Sequence, residues 1–207
     1  MITLVDYNAG NLTSVRRALA TLAVPCEISS DPAAIRRAER IIFPGVGHAG
    51  AAMHVLKERG LDTALKEAFE RGVPILGICI GCQIILERSE EADTLGLGLI
   101  RGECLRFRPA EPSLKVPHMG WNALTLARPH PLLAHVKTGD EFYFVHSYYP
   151  LPARSEYVFA TCDYGLVFPA AIGFRNLFAV QFHAEKSGPV GLKLLENFAR
   201  WDVGACL

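Results

Sequence analysis

The chain has 207 residues, half of them hydrophobic, and 21 Lys+Arg against 21 Asp+Glu give no formal net charge. That length suits one domain with a sizeable core, and the balanced charge leaves no basic field to draw nucleic acid or an anionic membrane. The longest charge-free run near the middle, residues 72–86, is broken by glycines and too short to span a bilayer.

In chain order, ITLVD (2–6) reads as a first strand, ended by the turn-rich YNAGN. Asn11 caps a helix in which Leu12, Val15, Leu19 and Leu22 recur at steps of three and four. CEIS (26–29) and RIIF (40–43) are strands, and PGVGHAG (44–50) is a glycine loop. Helices are predicted over 50–58 and 62–71, a buried strand at PILGI (74–78) and a helix at GCQIILERS (81–89). This alternation signals a parallel sheet covered on both faces. The second half differs. ECLRF, EFYFVHSYY, YVFATCD, AAIGF and LFAVQF are strands with little helix between them, expected as antiparallel additions. Residues 188–201 form a closing helix with Val190, Leu194, Leu195 and Phe198 on one face. The expectation is a single α/β domain over 1–207: three layers, a mixed and largely parallel central sheet, and helices on both faces.

Six cysteines stand at Cys26, Cys79, Cys82, Cys104, Cys162 and Cys206. The chain opens on a core strand rather than a charged head and an apolar body, so the expected setting is cytoplasmic, with reduced thiols. Cys79 and Cys82 have the spacing of a redox pair or of half a zinc site. Zinc lacks a second Cys or His pair at ligand spacing. Cys79 also ends the strand PILGI and opens a helix, with Gly77 and Gly81 two residues to either side. That is the frame of a nucleophile on a sharp strand-to-helix turn, where glycines relieve backbone crowding and the helix terminus favours a thiolate.

A nucleophile needs a base, and the base an orienting group. In FAVQFHAEKS, His183 follows an apolar strand and Glu185 lies two residues on, close enough to fix the imidazole tautomer. Gly45, Val46 and Gly47 of the glycine loop, with the N–H of Ile80, are candidates for an oxyanion hole.

GICIGCQ together with FHAEKS resembles the class I glutamine amidotransferases, whose nucleophile motif is G-x-C-x-G-x-Q. DYNAGNLTSV, FPGVG, VPHMGWN and FYFVHSYY extend the resemblance nearly end to end. They narrow it to the branch that serves as glutaminase subunits in histidine biosynthesis. The resemblance implies that Cys79 attacks the carboxamide of glutamine to form a glutamyl thioester. His183 then protonates ammonia and activates water, with Glu185 as its orienter. It assigns Gln83, Ser147 and Tyr148 to glutamine binding and the strand around Val46 to a movable oxyanion hole. It also implies a (β/α)8-barrel cyclase as heterodimer partner and ammonia recipient, with His118, Trp121 and Asn122 as the docking surface. Two positions depart from the family: Ala184 replaces a usual proline, and Cys82 a usual methionine. Cys82 is thus read as a small apolar helix residue. No Walker loop and no GxGxxG fingerprint occurs, so no cofactor is expected. Beside these, His146 stays open between a structural and a site role. His48, His54, His130 and His135 read as surface or loop residues, and Lys186 as a solvated or interface charge. The rival readings are a glutaminase subunit for anthranilate or pyridoxal phosphate synthesis, and a thiol–disulfide oxidoreductase using Cys79 and Cys82.

Overall fold

A computed structural model describes residues 1–8, 11–109, 111 and 113–206. Ala9 and Gly10 of the first turn, and the side chain of Cys206, lie outside the described residues. The first half alternates as expected: β1 (Ile2–Val5), α1 (Leu12–Thr21), β2 (Cys26–Ser29), α2 (Pro32–Arg37), β3 (Arg40–Gly45), α3 (Ala49–Glu58), α4 (Leu61–Glu70), β4 (Ile75–Cys79) and α5 (Ile80–Ile84). The second half is strand-rich: β5 (Arg88–Ser89), β6 (Thr94–Leu95), β7 (Gly102–Arg106), β8 (His118–Leu126), β9 (Glu141–His146), β10 (Tyr148–Pro152), β11 (Val158–Asp163), β12 (Val167–Phe174) and β13 (Leu177–Val180). The helix α6 (Gly188–Arg200) closes it.

The main sheet runs β2-β1-β3-β4-β13-β12-β11-β8-β9. Its first five strands are parallel, and the remaining four continue it antiparallel. Strands β1, β3, β4 and β13 read as continuous apolar runs because helices bury them on both faces. On one face, α1 and α6 pack through Val15, Leu19, Leu194, Leu195 and Phe198. On the other, α3 and α4 pack through Met53, Leu56, Leu61 and Leu65. Among the described residues, no helix is long and apolar enough to cross a membrane.

Several elements depart from the sequence reading. The helix predicted over 81–89 stops at Ile84, because the 96–100 segment captures the carbonyls it would need. Leu97 N–H donates to Ile84 at 2.7 Å, Leu99 to Ile85 at 2.8 Å and Gly98 to Leu86 at 3.0 Å. The chain then extends into a small second sheet, β10-β7-β5-β6, which the sequence pattern did not separate from the first. EFYFVHSYY is two strands rather than one. It breaks at Ser147, with β9 on β8 in the main sheet and β10 on β7 in the small one. Asn11 holds the N-cap position of α1, but its side chain accepts from the Ser14 hydroxyl at 2.7 Å instead of from a backbone N–H. Helix α2 went unpredicted although Asp31-Pro32 carries its start signal: Asp31 Oδ1 accepts from Ala33 N–H at 2.9 Å and proline occupies the first turn.

Candidate active site

Strand β4 runs into α5 without a loop. Cys79 is both the last residue of the strand and the N-cap of the helix, at φ +54°, ψ −106°. Few L-residues hold positive φ, and the surrounding structure must enforce it. A Cβ on Gly81 would stand 1.9 Å from the Phe43 carbonyl oxygen, and one on Gly77 3.0 Å from both the Ala179 Cβ and the Gly81 carbonyl oxygen. The flanking glycines are therefore dictated by β3 and β13, which clasp the turn from either side.

The same packing places His183. Val180 of β13 pairs with Ile78 of β4, so Gln181 lies level with Cys79 and its amide nitrogen is 3.8 Å from Sγ. His183 follows two residues later, its backbone N–H donating to the Tyr143 carbonyl of β9 at 2.9 Å. The His183 ring places Nδ1 2.8 Å from Glu185 Oε1, and both side chains are 1% exposed. With the carboxylate accepting at Nδ1, Nε2 is the open nitrogen. It is buried, with no partner at normal hydrogen-bond geometry, and Glu185 Oε2 is likewise unpartnered. Burial opposes charge on the imidazole, but the nearby Cys79 sulfur and then Glu185 outweigh it and raise His183 to about 9.

A cavity of about 220 Å³ opens over Cys79, the scale of a single amino acid rather than of a drug-sized ligand. Val46 and Gly47 form one wall, Cys79, Ile80 and Gln83 the floor, and Val145, His146, Ser147 and Tyr148 another wall. Gln83 is buried, and its amide nitrogen donates to the Tyr148 carbonyl and to Gln181 Oε1, both at 3.0 Å. Of the glycine loop, Val46 and Gly47 line the cavity, and Gly47 has φ +103°. Gly45 does not line it. It belongs to β3, with the Tyr7 hydroxyl and Ile80 packed where a Cβ would sit. Tyr7 donates to the Pro44 carbonyl at 2.8 Å and pins the loop's base.

Two wall residues escaped the sequence reading. Glu91 lines the cavity and anchors the start of α3 by accepting from Ala49 N–H at 2.6 Å. It sits in the charged run SEEAD, which carries no motif of its own. Pro117 lines the cavity too. A larger groove of about 910 Å³ lies at the other end of the sheet, around Phe159, Phe174 and Arg175, away from Cys79 and His183.

The residues grouped in VPHMGWN separate in space. In β8 the alternation of a strand sends Met119 and Trp121 outward, 62% and 54% exposed, and His118, Gly120 and Asn122 the other way. His118 is buried, stacked on Phe144 and Tyr164, so its side chain cannot form part of a docking surface. Asn122 donates to the Asp163 carbonyl at 2.8 Å. Trp121 keeps its exposed position, edge-on to Tyr143, whose ring lies 5.9 Å from the Lys186 ammonium. His130 is half-buried rather than a plain loop residue, stacked on Phe178 with ring centroids 4.2 Å apart. Cys82 is buried in the helix-covered core, with burial holding its thiol well above the ordinary range. A neutral thiol facing another core is a poor resolving partner for Cys79.

A strained elbow cysteine, a carboxylate-oriented imidazole and an amino-acid-sized cavity, on a mixed α/β sheet, are the parts that acyl transfer through a cysteine requires. The comparisons with known proteins narrow this. The glutamine amidotransferase class-I family matches residues 3–201, and the chain belongs to that family. A protein of Nitratidesulfovibrio vulgaris strain DP4 named imidazole glycerol phosphate synthase subunit HisH is 53% identical, over 97% of this chain and 96% of its own length. One of the same name from Geobacillus kaustophilus is 46% identical over 96% and 95%. PurLQS from Thermotoga maritima, at 20% identity, shares the fold with a TM-score of 0.75 over 96% of this chain and 97% of that one.

Proposed function

We propose that the chain is the glutaminase subunit of an imidazole glycerol phosphate synthase, a cytoplasmic enzyme of histidine biosynthesis that spans residues 1–207 as one catalytic domain. It hydrolyses glutamine to glutamate and ammonia. The observation that carries the reading is the His183–Glu185 pair, with Nδ1 held at 2.8 Å and Nε2 left open, close enough to Cys79 for its sulfur to raise the His183 pKa.

In this mechanism the Cys79 thiol gives its proton to His183 Nε2, Sγ bonds to the carboxamide carbon, and the carbonyl electrons move to oxygen. The N–H groups of Val46 and Ile80 stabilise that oxyanion, with Gly45 and Gly47 letting the loop turn. His183 gives its Nε2 proton to the departing nitrogen, which leaves as ammonia, and a glutamyl thioester remains. Nε2 then takes a proton from water, whose oxygen attacks the thioester and releases glutamate and Cys79. Gln83, Ser147, Tyr148 and the Glu91 carboxylate hold the amino-acid head. The exposed Met119 and Trp121 belong to the face that docks a (β/α)8-barrel cyclase, the recipient of the ammonia. Trp121 is the aromatic anchor and Asn122 braces the strand behind it.

The test is glutamate release from glutamine by the chain mixed with a barrel cyclase of the histidine pathway and its ligand. Wild type releases glutamate, faster with the cyclase and its ligand than without, and Cys79→Ala does not. Release by Cys79→Ala at the wild-type rate overturns the assignment, and equal rates with and without cyclase overturn the partner.

A further inference from the structure

The Tyr148 carbonyl, on the cavity wall, accepts two hydrogen bonds: from Gln83 Nε2 at 3.0 Å and from His146 Nδ1 at 2.7 Å. A carbonyl can only accept, so His146 carries its proton on Nδ1 and, being neutral, offers a lone pair at Nε2. Nδ1 of His118 stands 3.1 Å from that lone pair. His118 therefore also carries its proton on Nδ1, and its own Nε2 faces the Asn122 amide nitrogen at 3.4 Å. The Asn122 amide cannot be reversed: its nitrogen donates to the Asp163 carbonyl at 2.8 Å and its oxygen accepts from Ala123 N–H at 2.8 Å. All donors thus point one way, from β8 toward the cavity.

The two rings are directly opposite each other across the β8–β9 ladder, 2% and 5% exposed, with Phe107 and Phe168 packed around them. Burial keeps both neutral, lowering His118 to about 4 and His146 to about 3. The chain of contacts continues inward. With Tyr148 and Gln181 taking the Gln83 N–H groups, the Gln83 oxygen is the atom left for a ligand, and Gln181 in turn touches Cys79 Sγ at 3.8 Å.

We propose that His146, locked in one tautomer by His118, is a positioning residue of the glutamine pocket, acting through the Tyr148 carbonyl to hold Gln83 with its oxygen toward the substrate's ammonium. The kinetic part rests on the glutaminase reading above, whereas the tautomer chain does not.

Nitrogen-15 NMR of the labelled full chain at neutral pH reads the two rings directly. Both are expected neutral with the proton on Nδ1, and an Nε2 proton or a charged ring on either overturns the chain whether or not the protein hydrolyses glutamine. Kinetics with the cyclase partner read the positioning. His146→Phe is expected to raise KM for glutamine about tenfold with kcat changed less than about threefold, the pattern of lost ground-state binding. His146→Asn, whose amide nitrogen can replace Nδ1, is expected to recover most of that KM. His118→Phe keeps the proposal testable if His146→Phe does not fold, and is expected to raise KM about threefold as the His146 proton is freed to move. An unchanged KM in the Phe variants, or Asn no better than Phe at position 146, overturns the positioning role. A wild-type chain that releases no glutamate overturns the glutaminase reading and leaves the tautomer measurement standing.

Discussion

Gly45 lies directly beside Cys79 across the β3–β4 ladder, and the Tyr7 hydroxyl fills the place its Cβ would take, 2.0 Å away. The turn that strains Cys79 and the loop that faces it are thus tied to one residue of the opening motif, Tyr7. Gly45→Ala forces Tyr7 off the Pro44 carbonyl. We expect it to cost about 1–3 kcal/mol by overpacking and to lower glutamate release at least tenfold. Adding Tyr7→Phe removes the colliding atom, so the double variant should be less damaged than the sum of its parts. Chemical denaturation and steady-state assays of the four proteins check this, and strict additivity speaks against the contact.

The Glu185 carboxylate fixes His183 and, after Cys79, raises it to about 9. An imidazolium that must donate a proton is lost above its pKa, so kcat/KM should fall along an alkaline limb near pH 9. Glu185→Gln removes the charge that favours the imidazolium, so the limb should move to lower pH. An amide that can flip also no longer enforces the Nδ1 proton, and kcat should drop about a hundredfold or more. A pH profile of both proteins decides it, and a limb that stays in place in the variant argues against the pairing.

Much of this arrangement could be read in the sequence, and the parts that could not have physical reasons. Gly77, Cys79 and Gly81 were visible because the motif's spacing is local, although Phe43 of β3 and Ala179 of β13 are what exclude side chains at the two glycines. The His183–Glu185 pair was visible because two residues span it. Glu91 was not, since its place on the cavity wall depends on where the short helix α5 ends. That end is set by Leu97 and Leu99, which take the carbonyls of Ile84 and Ile85 from far along the chain. His118 and Trp121 looked alike as docking residues, although the alternation in HMGWN already put them on opposite faces of a strand. The strand itself was the missing inference.

Cys82 distinguishes a hydrolytic site from a redox one. It is buried in the same core as Phe43 and Cys104, with its thiol held neutral by burial. Cys82→Ala removes one sulfur from the core and should cost about 1 kcal/mol of stability. Glutamate release at moderate temperature should stay within about twofold of wild type. A variant that folds but releases no glutamate would mean that Cys82 takes part in the chemistry.

Acid should loosen the fold through three histidines, His118 and His146 buried and His130 half-buried. His118 and His130 are lowered to about 4 by burial and His146 to about 3, by burial first and then by the charges of His118 and His183, against an ordinary value near 6.5. A histidine kept neutral in the folded state stabilises fully above the unfolded pKa. Below it the unfolded chain binds protons that the folded chain refuses. The stability these three confer is therefore present above about pH 6.5 and lost as pH falls toward 4. Each contributes a slope of about 1.4 kcal/mol per pH unit in the window where only the unfolded chain is protonated. His183 has the opposite sign: its contribution is present below about 6.5 and lost as pH rises through about 9. The test is best made at His130, which stacks on Phe178 at the end of the sheet away from Cys79 and touches nothing in the cavity. His130→Phe deletes one titrating ring and the bond that Nδ1 accepts from Leu132 N–H. The lost bond lowers stability at every pH, while the lost ring should remove about one proton from the slope between pH 6 and 4. Urea unfolding at a series of pH values separates the two effects, and a variant whose slope matches wild type would mean that His130 is protonated alike in both states.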